Sequence, residues 1–409
     1  MKRKIVNDPV HGLINLPDGL PFELIEHPYM QRLRRIKQTG LLHLVYPGSV
    51  HSRLHHALGV SHLMGKAIET LRMKGHQITQ EEAEAASIVA LLHDVGHGPF
   101  SHSLEYTIVN THHEKISACF FDDLNRQYNN RLEMAKAIFN NQYPKKFLSQ
   151  LISGQIDVDR MDYLKRDSFF TGVSEGIIAA DRIINMFEVQ NDKLVVEEKG
   201  MYSVENFLIA RRLMYWQVYL HKTVIVADFL LINILRRAKE LCLLKTEVAA
   251  SPPLLFFLQH HCSDNDFNND PSILKLFSEL DDFDVFAAIK QWRHHPDKIL
   301  SYLSDCLVNR HLFAIEMSNT PFSDEKYNQI CLKIKCHFNI SDAELPYFII
   351  RETVSNNMYN IASDNILILK KDNTLIDVAE ATDQMSIKKI AVPVTKYALS
   401  YPKMFREIG

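Results

Sequence analysis

The sequence is poor in cysteine and has no cysteine pair at metal-site spacing. Six cysteines are spread over 409 residues, and none forms a CxxC motif. A disulfide framework or a thiolate metal site needs cysteines in defined sets, so this spacing disfavours both. We therefore expect reduced thiols, as in a cytosolic protein.

An excess of charge is also missing. The 46 Lys and Arg residues nearly balance the 49 Asp and Glu residues, which gives a formal net charge of −3. Such a balance provides no overall attraction to nucleic acid or to an anionic membrane, so a polyanionic ligand requires a local basic pocket. With only 14 Gly, 15 Pro and 46% hydrophobic residues, the composition is that of a globular protein and excludes a disordered or fibrous one.

No long hydrophobic run is present. The N-terminal MKRKIVNDPV lacks the apolar segment of a signal peptide. The best membrane-spanning candidate, TVIVADFLLINIL at 223–235, contains Asp228 and is shorter than the roughly 20 residues that a bilayer requires. These absences predict a buried helix at 223–235, a cytoplasmic location and no membrane partner.

Apolar residues recur at three- and four-residue spacing up to about residue 245, as in packed helices. Thr79 and Glu82 fit a capping box that begins a helix over 80–95. The sequence predicts another helix over 56–75, and one long helix or two stacked ones over 206–241. The fold class predicted for this part is all-α.

After residue 245 the pattern changes. EVAASPPLL at 247–255 indicates a junction, a polar loop follows at 260–272, and helical sequence resumes to about 315. Beyond 323, a helix precedes the strand-like YFIIRET and NILILKKDNTLIDV, the latter with an Asp-Asn turn. We therefore predict a mainly α protein with a helical core at 1–245, and at 246–409 a helical extension with a small α+β appendage.

Polar residues cluster at the end of the apolar run SIVALLHDVGHGPFSH, residues 87–102. His93 and Asp94 can both reach an ion beside the helix edge, but a catalytic metal needs three or four protein ligands and open positions. Mixed His and Asp ligands without thiolate suit Mn, Fe, Ni, Zn or Mg and indicate hydrolysis at phosphorus. Further candidate ligands are His51, His55, His56, Asp157 and Asp159.

More imidazoles follow the pair. His97 lies one helical turn beyond His93, His102 follows the Gly-Pro break, and HHE at 112–114 comes close after Glu105. From the residues alone, these histidines are either functional or hydrogen-bonded residues of the core and of helix ends.

Six motifs in order carry a resemblance: DPVHG, HPYMQRLRRIKQTG, RLHHALGV, HDVGHGPFSH, DVDRMDYLKRD and YLHK. Over about residues 4–240 the sequence resembles the HD-domain phosphohydrolases. Within that family it is more similar to the deoxynucleoside-triphosphate triphosphohydrolase branch, which includes a vertebrate enzyme with a sterile-alpha-motif domain before its HD domain. The resemblance begins almost at Met1, so no sterile-alpha-motif domain is expected. It implies that residues 1–245 are an HD-domain catalytic core.

The resemblance also implies a metal site and proton-transfer residues. One divalent transition metal (Mn, Fe, Ni or Zn) is expected, with Mg accompanying the triphosphate. Its implied ligands are His56, His93, Asp94 and Asp159. His97, His102 and His113 are implied to face the phosphates and transfer protons, with Glu105, where the family commonly has Asp, orienting His102.

The substrate-binding residues are implied in the same way. Arg53 and Arg211 match phosphate-binding positions, and Arg160 stands where the family often has Lys. Lys165 and Arg166 are either further phosphate ligands or a solvated face.

Sugar and base contacts are implied as well. Tyr163 and Asp167 match sugar contacts, where a tyrosine ring leaves no room for a 2′-hydroxyl; Tyr219 resembles another sugar-pocket position or is a core residue. Gln38 falls where the family contacts base and sugar. The residues that replace the family's Leu, His and Gln near the base predict weaker discrimination between bases; they are Thr39, Tyr215 and Leu220.

A second nucleotide site is suggested at the N-terminus. Five residues match positions of an activating site between subunits, where Glu26 departs from the Asp that reads guanine; the five are Lys4, Ile5, Asn7, Gln31 and Arg34. The alternative is a surface-packed strand with solvated basic residues. The resemblance also implies a homo-oligomer, a dimer or tetramer.

These observations predict a metal-dependent phosphohydrolase that converts a deoxynucleoside triphosphate to deoxynucleoside and triphosphate. One alternative is an HD nucleotidase or phosphodiesterase, although a monophosphate would not need the row of cations. Another is a nucleotide-sensing or nucleic-acid-binding module with a vestigial metal site, which the complete ligand set and the low net charge disfavour.

Overall fold

The structure, a computed structural model, describes residues 4–100, 103–356, 365–381 and 394–406. Helices dominate these ranges, which confirms the predicted mainly α fold class. The helices are α1 (Leu20–Glu26), α2 (Pro28–Arg32), α3 (Arg53–Met73), α4 (Gln80–Leu92), α5 (His113–Gln127), α6 (Glu133–Phe139), α7 (Lys146–Ser153), α8 (Val158–Thr171), α9 (Ala180–Asn185), α10 (Met201–Met214), α11 (Lys222–Leu243), α12 (Pro252–Gln259), α13 (Asp264–Asn269), α14 (Pro271–Glu279), α15 (Asp282–Trp292), α16 (Lys298–Val308), α17 (Asp324–Phe338) and α18 (Val378–Ala381).

Short strands form small sheets around the helices, with the orders β1-β2, β10-β9-β5-β4, β7-β11-β8 and β3-β6. β5 pairs in parallel with β9, so strands from both sides of residue 245 share one sheet. The predicted division into two regions stays a prediction. The strands are β1 (Ile5–Asp8), β2 (Gly12–Asn15), β3 (Val109–Asn110), β4 (Phe187–Gln190), β5 (Lys193–Glu197), β6 (Cys262–Ser263), β7 (Ala314–Ser318), β8 (Ile350–Asn356), β9 (Leu367–Leu369), β10 (Leu375–Asp377) and β11 (Val394–Tyr401).

Helix α4 carries the capping box that the sequence predicts. Glu82 N–H donates to the Thr79 hydroxyl at 3.2 Å, and Thr79 N–H donates to the Glu82 carboxylate at 2.8 Å. The helix ends at Leu92, so the predicted end at residue 95 was wrong by about one turn. A Cβ at Gly96 would lie 2.3 Å from the His113 carbonyl oxygen. The close approach of the chain to α5 at this position therefore requires glycine.

The segment predicted as one long or two stacked helices is two helices. A π-helical turn, Tyr215–Tyr219, follows α10 and precedes α11. The predicted buried helix at 223–235 lies within α11, where Leu230, Leu231 and Ile234 are fully buried. In the described ranges no single helix is long and apolar enough to span a membrane. The pair Glu198–Tyr219 and Lys222–Leu243, which is bent by 56° at its break, has the length and composition of a membrane span only when the two segments are taken together.

The C-terminal predictions mostly agree with the structure. The predicted helix is α17, the strand-like YFIIRET overlaps β8, and β9 and β10 form the predicted hairpin around Asp372 and Asn373. The predicted polar loop at 260–272 was wrong in part, because Ser263 and Asp266 form a capping box that begins α13. One hydrophobic cluster joins both predicted regions and contains, among others, Leu92, Leu164, Phe257, Phe348.

Candidate metal centre

Helices α3, α4 and α8 bring the four implied ligands together. His56 lies in the first turns of α3, His93 and Asp94 follow α4, and Asp159 lies in the first turn of α8. His56 Nε2 lies 3.0 Å from Asp159 Oδ1 and 3.9 Å from Asp94 Oδ2. His93 Nε2 lies 3.6 Å from a carboxylate oxygen of each aspartate. His56, His93 and Asp159 therefore form one group whose ligand atoms lie within 4.8 Å of one another, while Asp94 adjoins this group and forms a second group with His97 and His113.

The other ring nitrogen of each histidine has a partner. His56 Nδ1 lies 2.8 Å from Asp162 Oδ2, and His93 Nδ1 lies 2.9 Å from the Ala90 carbonyl oxygen. Carboxylate and carbonyl oxygens accept hydrogen bonds, so each Nδ1 carries the proton and each Nε2 keeps a lone pair. Within the described residues neither buried Nε2 has a hydrogen-bond partner. This donor set fits a divalent metal.

The charges of the cluster favour a cation at its centre. Burial opposes the charged form of His56, but the nearby carboxylates of Asp159 and Asp162 outweigh burial and raise its pKa to about 10. Burial likewise opposes ionisation of Asp159, yet His56 and His93 hold its pKa below the usual range. A proton and a metal ion compete for the same Nε2 lone pair, so these contacts stabilise either one.

The predicted proton-transfer residues lie beside the cluster. His97 Nε2 is 3.5 Å from Asp94 Oδ1, and the His97 and His113 rings stack with centroids 3.7 Å apart. Burial and the nearby Arg53 hold the pKa of His97 well below its usual value, which keeps this imidazole neutral. Glu105 accepts a hydrogen bond from His113 Nδ1 at 2.7 Å. His102 lies outside the described residues, so its role stays a prediction.

A cavity of about 490 Å³ opens onto Asp94 and Asp159. This volume is within the range of small-molecule sites. Every residue implied to bind substrate lines this cavity: Gln38, Arg53, Arg160, Tyr163, Asp167, Arg211 and Tyr219.

The lining arginines are held by protein acceptors. Arg53 forms an ion pair with Asp94. Arg160 pairs with Asp157 and donates to the Gly154 carbonyl oxygen at 2.6 Å. Arg211 donates to the Gln155 side chain at 3.0 Å. Guanidinium groups have five N–H donors, so these contacts orient the arginines while they line the cavity.

Tyrosines form the other end of the cavity. The π-helical turn presents Tyr215 and Tyr219 with ring centroids 5.3 Å apart, and Tyr163 meets Tyr219 edge to face at 6.1 Å. The Tyr219 hydroxyl donates to Asp167 at 2.6 Å. Burial and Asp167 raise the pKa of Tyr219 well above its usual value, so the hydroxyl remains a donor.

Three ligand candidates that the sequence left open have other partners. His51 Nε2 lies 2.7 Å from Asp167, and the His55 ring caps α3 together with Ser52. Asp157 caps α8 by accepting a hydrogen bond from Arg160 N–H at 2.7 Å. Each side chain contacts a helix end or Asp167.

Arg166 contradicts both interpretations offered for it. The guanidinium is fully buried and pairs with Asp162 and Asp8, so it is neither a phosphate ligand nor part of a solvated face. Lys165 is half-buried and does not line the cavity.

Several cavity residues were not singled out from the sequence as site residues. The sequence contains a signal for Asp228, because it is a carboxylate within an apolar helix. The others are typical of core or loop residues. These cavity residues are Gly40, Leu42, Phe100, Ser103, Val224 and Asp228.

The residues of the suggested effector site lie in two segments. Lys4 Nζ is 3.6 Å from the Phe22 ring centroid, and Ile5 and Asn7 are exposed on β1. Gln31 donates to the Ile25 carbonyl oxygen at 2.8 Å and accepts from Arg34 at 2.7 Å. Glu26 and Gln31 line a second cavity of about 860 Å³. The effector site and the homo-oligomer stay predictions.

Comparison with known proteins identifies the family of the chain. The HD domain model matches residues 53–167, and the HD associated region matches residues 178–252. The crystal structure of a phosphohydrolase from Bacteroides thetaiotaomicron is 49% identical with a TM-score of 0.94, covering 98% of this chain and 100% of that chain. The uncharacterized protein YwfO of Bacillus subtilis is 35% identical over 321 residues, which is 76% of this chain and 71% of that protein.

A further relative carries a named activity. The deoxynucleoside triphosphate triphosphohydrolase SAMHD1 homolog of Dictyostelium discoideum is 30% identical over 257 residues, 58% of this chain and 50% of that protein. The chain thus spans about half the length of that relative. Taken with the fold and the His/Asp cluster, these matches show that the chain belongs to the HD-domain phosphohydrolase family. HD domains bind a divalent metal at such a cluster.

Proposed function

We propose that the chain hydrolyses deoxynucleoside triphosphates to deoxynucleoside and triphosphate. The observation that carries the proposal is that one cavity joins three parts: the His/Asp cluster, three arginines, and the wall of Tyr163, Tyr219 and Asp167. A nucleotide needs cations for its phosphate chain next to a wall that fits its sugar, and this cavity offers the arginines and the tyrosines together. The likeness to the named triphosphohydrolase supports the same substrate class.

His56, His93, Asp94 and Asp159 would hold one Mn, Fe, Ni or Zn ion. When bound, the metal supplies Lewis acidity towards a phosphoryl oxygen and towards water. Asp162 and the Ala90 carbonyl oxygen keep both histidines protonated at Nδ1, so that Nε2 remains a ligand atom.

The arginines would orient the phosphate chain. Arg53 ties the cluster to the cavity, because it pairs with the ligand Asp94 and also lines the pocket. Arg160 and Arg211 line the same cavity as Arg53. Mg would accompany the triphosphate. A monophosphate or cyclic nucleotide would leave some of these cations without a phosphate partner.

Histidines would transfer the protons. His113 lines the cavity and is held at Nδ1 by Glu105, which suits proton exchange at Nε2. His102 would protonate the departing 5′-oxygen, as the family resemblance implies. The neutral His97 stacks on His113 and fixes the plane of its ring.

Product analysis tests this proposal. The full chain, loaded with Mn²⁺, is incubated with each of the four dNTPs in H₂¹⁸O. We expect deoxynucleoside and triphosphate in equal amounts, with ¹⁸O in the triphosphate because water attacks phosphorus. Monophosphate with pyrophosphate, or no turnover with Mn, Fe, Ni or Zn, would contradict it. Faster turnover of dNMP or cyclic nucleotides would favour the nucleotidase or phosphodiesterase alternative.

A further inference from the structure

Asp162 connects the metal cluster to a distant part of the chain. This carboxylate lies on α8 with its side chain fully buried. It accepts hydrogen bonds from His56 Nδ1 at 2.8 Å, from His11 Nε2 at 2.7 Å, and from two nitrogens of Arg166 at 2.8 and 2.9 Å. A buried carboxylate with donors on both oxygens has its orientation fixed.

His11 belongs to the turn between β1 and β2, and Asp8 ends β1. Asp8 Oδ2 accepts from Arg166 at 2.7 Å, while Asp8 Oδ1 accepts from the backbone N–H groups of Val10 and His11 at 2.9 Å each. The His11 side chain is only 1% exposed. The turn of this hairpin is therefore anchored in the interior by two ionisable side chains.

Glycine in α3 makes room for these contacts. A Cβ at Gly59 would lie 1.9 Å from Asp162 Oδ1 and 2.3 Å from Arg166 Nη2. Because Gly59 lies less than one turn after His56, the same part of α3 that presents the ligand also accommodates the carboxylate and the guanidinium. No side chain larger than hydrogen fits there without moving the network.

We propose that the β1–β2 hairpin is a positioning element for the metal ligand His56, acting through His11–Asp162 and Asp8–Arg166. His11 and Arg166 hold Asp162 from two sides, so that its Oδ2 accepts the Nδ1 proton of His56. His56 then presents Nε2 to the metal in one orientation. This inference rests on the metal-binding half of the proposed function and is independent of the substrate.

The coupling is reciprocal. If the hairpin contacts strengthen metal binding, metal binding strengthens the hairpin contacts by the same free energy. The inference therefore has a consequence that can be measured without substrate turnover.

The first experiment titrates the metal-free full chain with Mn²⁺ and measures unbound Mn²⁺ by electron paramagnetic resonance. His11→Phe removes the donor to Asp162, and we expect its Kd to rise about 10- to 100-fold, the usual effect of losing an outer-shell partner of a metal-ligating histidine. His11→Gln retains an N–H donor at similar reach and should stay within about threefold of the wild type.

His62→Phe is the matched control. The His62 ring lies 5.4 Å from the His11 ring, so its replacement disturbs the same packing without removing a donor to Asp162. A Kd of His11→Phe within about threefold of the wild type, or equal losses in His62→Phe or His11→Gln, would overturn the inference. Failure of the wild-type chain to bind Mn²⁺ and, in the same titration, each of Fe²⁺, Ni²⁺ and Zn²⁺ would overturn the proposed function and this inference together.

A second measurement needs no variant. Mn²⁺ should slow hydrogen exchange at the amides of Val10 and His11, which donate to Asp8. The amide of Thr374, which donates to Asp372 in the β9–β10 hairpin at 3.0 Å, is the matched control and should not change. Unchanged exchange at Val10 and His11 with saturating Mn²⁺ would overturn the inference.

Discussion

The two ends of the cavity are built differently. At the metal end, each histidine ligand is held by a second contact: His56 by Asp162, and His93 by the Ala90 carbonyl oxygen. At the end that the proposed function assigns to the nucleoside, called the nucleoside end below, Tyr163 and Tyr215 each meet Tyr219 edge to face. Ion pairs and hydrogen bonds determine orientation sharply, whereas aromatic edges tolerate small shifts.

The difference indicates which part of the cavity requires precisely positioned side chains. A metal requires ligand atoms at fixed distances, which fits the second contact that orients each histidine at the metal end. A cavity that accepts several bases needs shape rather than a complete set of hydrogen bonds. Substitutions at the metal end should therefore have larger effects than substitutions at the nucleoside end.

Asp94→Ala should have the largest effect. It removes an implied ligand and the partner of Arg53, and we expect loss of bound metal and a fall in kcat/KM of at least about 10³-fold, since the metal contributes several kcal/mol to catalysis. Metal analysis after dialysis and initial rates measure both. Asp122→Ala, which removes a carboxylate paired with Lys136 on the surface of α5, is the control. Retention of metal by Asp94→Ala would contradict the assigned ligand set.

Gly59→Ala tests the packing at the metal end. The added Cβ collides with Asp162, and we expect the free energy of unfolding to fall by about 1–3 kcal/mol, as overpacked cores do. Gly65→Ala in the same helix meets no atom within 4 Å and should raise the free energy by about 0.5–1 kcal/mol. Urea denaturation compares the two. Equal effects of the two substitutions would show that the contact with Asp162 is unimportant.

Arg211→Ala should have an effect of intermediate size. Loss of a charged hydrogen bond to phosphate is worth about 1.5–3 kcal/mol, so KM for a dNTP should rise about 10- to 100-fold while the metal content stays unchanged. The neighbouring Arg212 does not line the cavity, and Arg212→Ala should leave KM near the wild-type value. An unchanged KM for Arg211→Ala would remove this residue from the phosphate site.

Tyr163→Ala addresses the nucleoside end. If the ring crowds the 2′ position, its removal should lower the preference for dATP over ATP, measured as a ratio of kcat/KM, by about tenfold. Tyr202, which is 66% exposed, provides the control substitution Tyr202→Ala. An unchanged ratio would assign the discrimination to Tyr219 or Asp167 instead.

The smallest effect is expected from exchanging the base of the dNTP substrate. With Tyr215 and Leu220 where the family has His and Gln, the four dNTPs should differ in kcat/KM by less than about tenfold. Parallel rate measurements decide this. A much larger preference for one base would indicate polar base contacts from other lining residues, such as Asp228.

Local features of the fold could be predicted from the sequence because they depend on near neighbours. The capping box of Thr79 and Glu82 is an example, since its two hydrogen bonds join residues three positions apart. The end of α4 could not be predicted, because it depends on the packing of Gly96 against α5. The π-helical turn at Tyr215–Tyr219 also has no local signal that we recognise.

The candidate site shows the same limit. The convergence of His56 and Asp159 joins residues that lie far apart in sequence. The residues alone offered both among five further candidate ligands, and the family resemblance selected these two. Arg166 was misinterpreted because its partner Asp8 is 158 positions away. Without that contact, an arginine in a helix of mixed charge is indistinguishable from a surface residue.

The small sheet that joins β5 to β9 has a practical consequence for cutting the chain. A fragment of residues 1–245 would leave the edge of β5 unpaired, and an unpaired edge strand invites association between copies. It would also lack Asp282, whose carboxylate accepts from the backbone N–H groups of Lys37 and Phe100 beside the cavity. Residues 1–245 are therefore best expressed and studied together with residues 246–409.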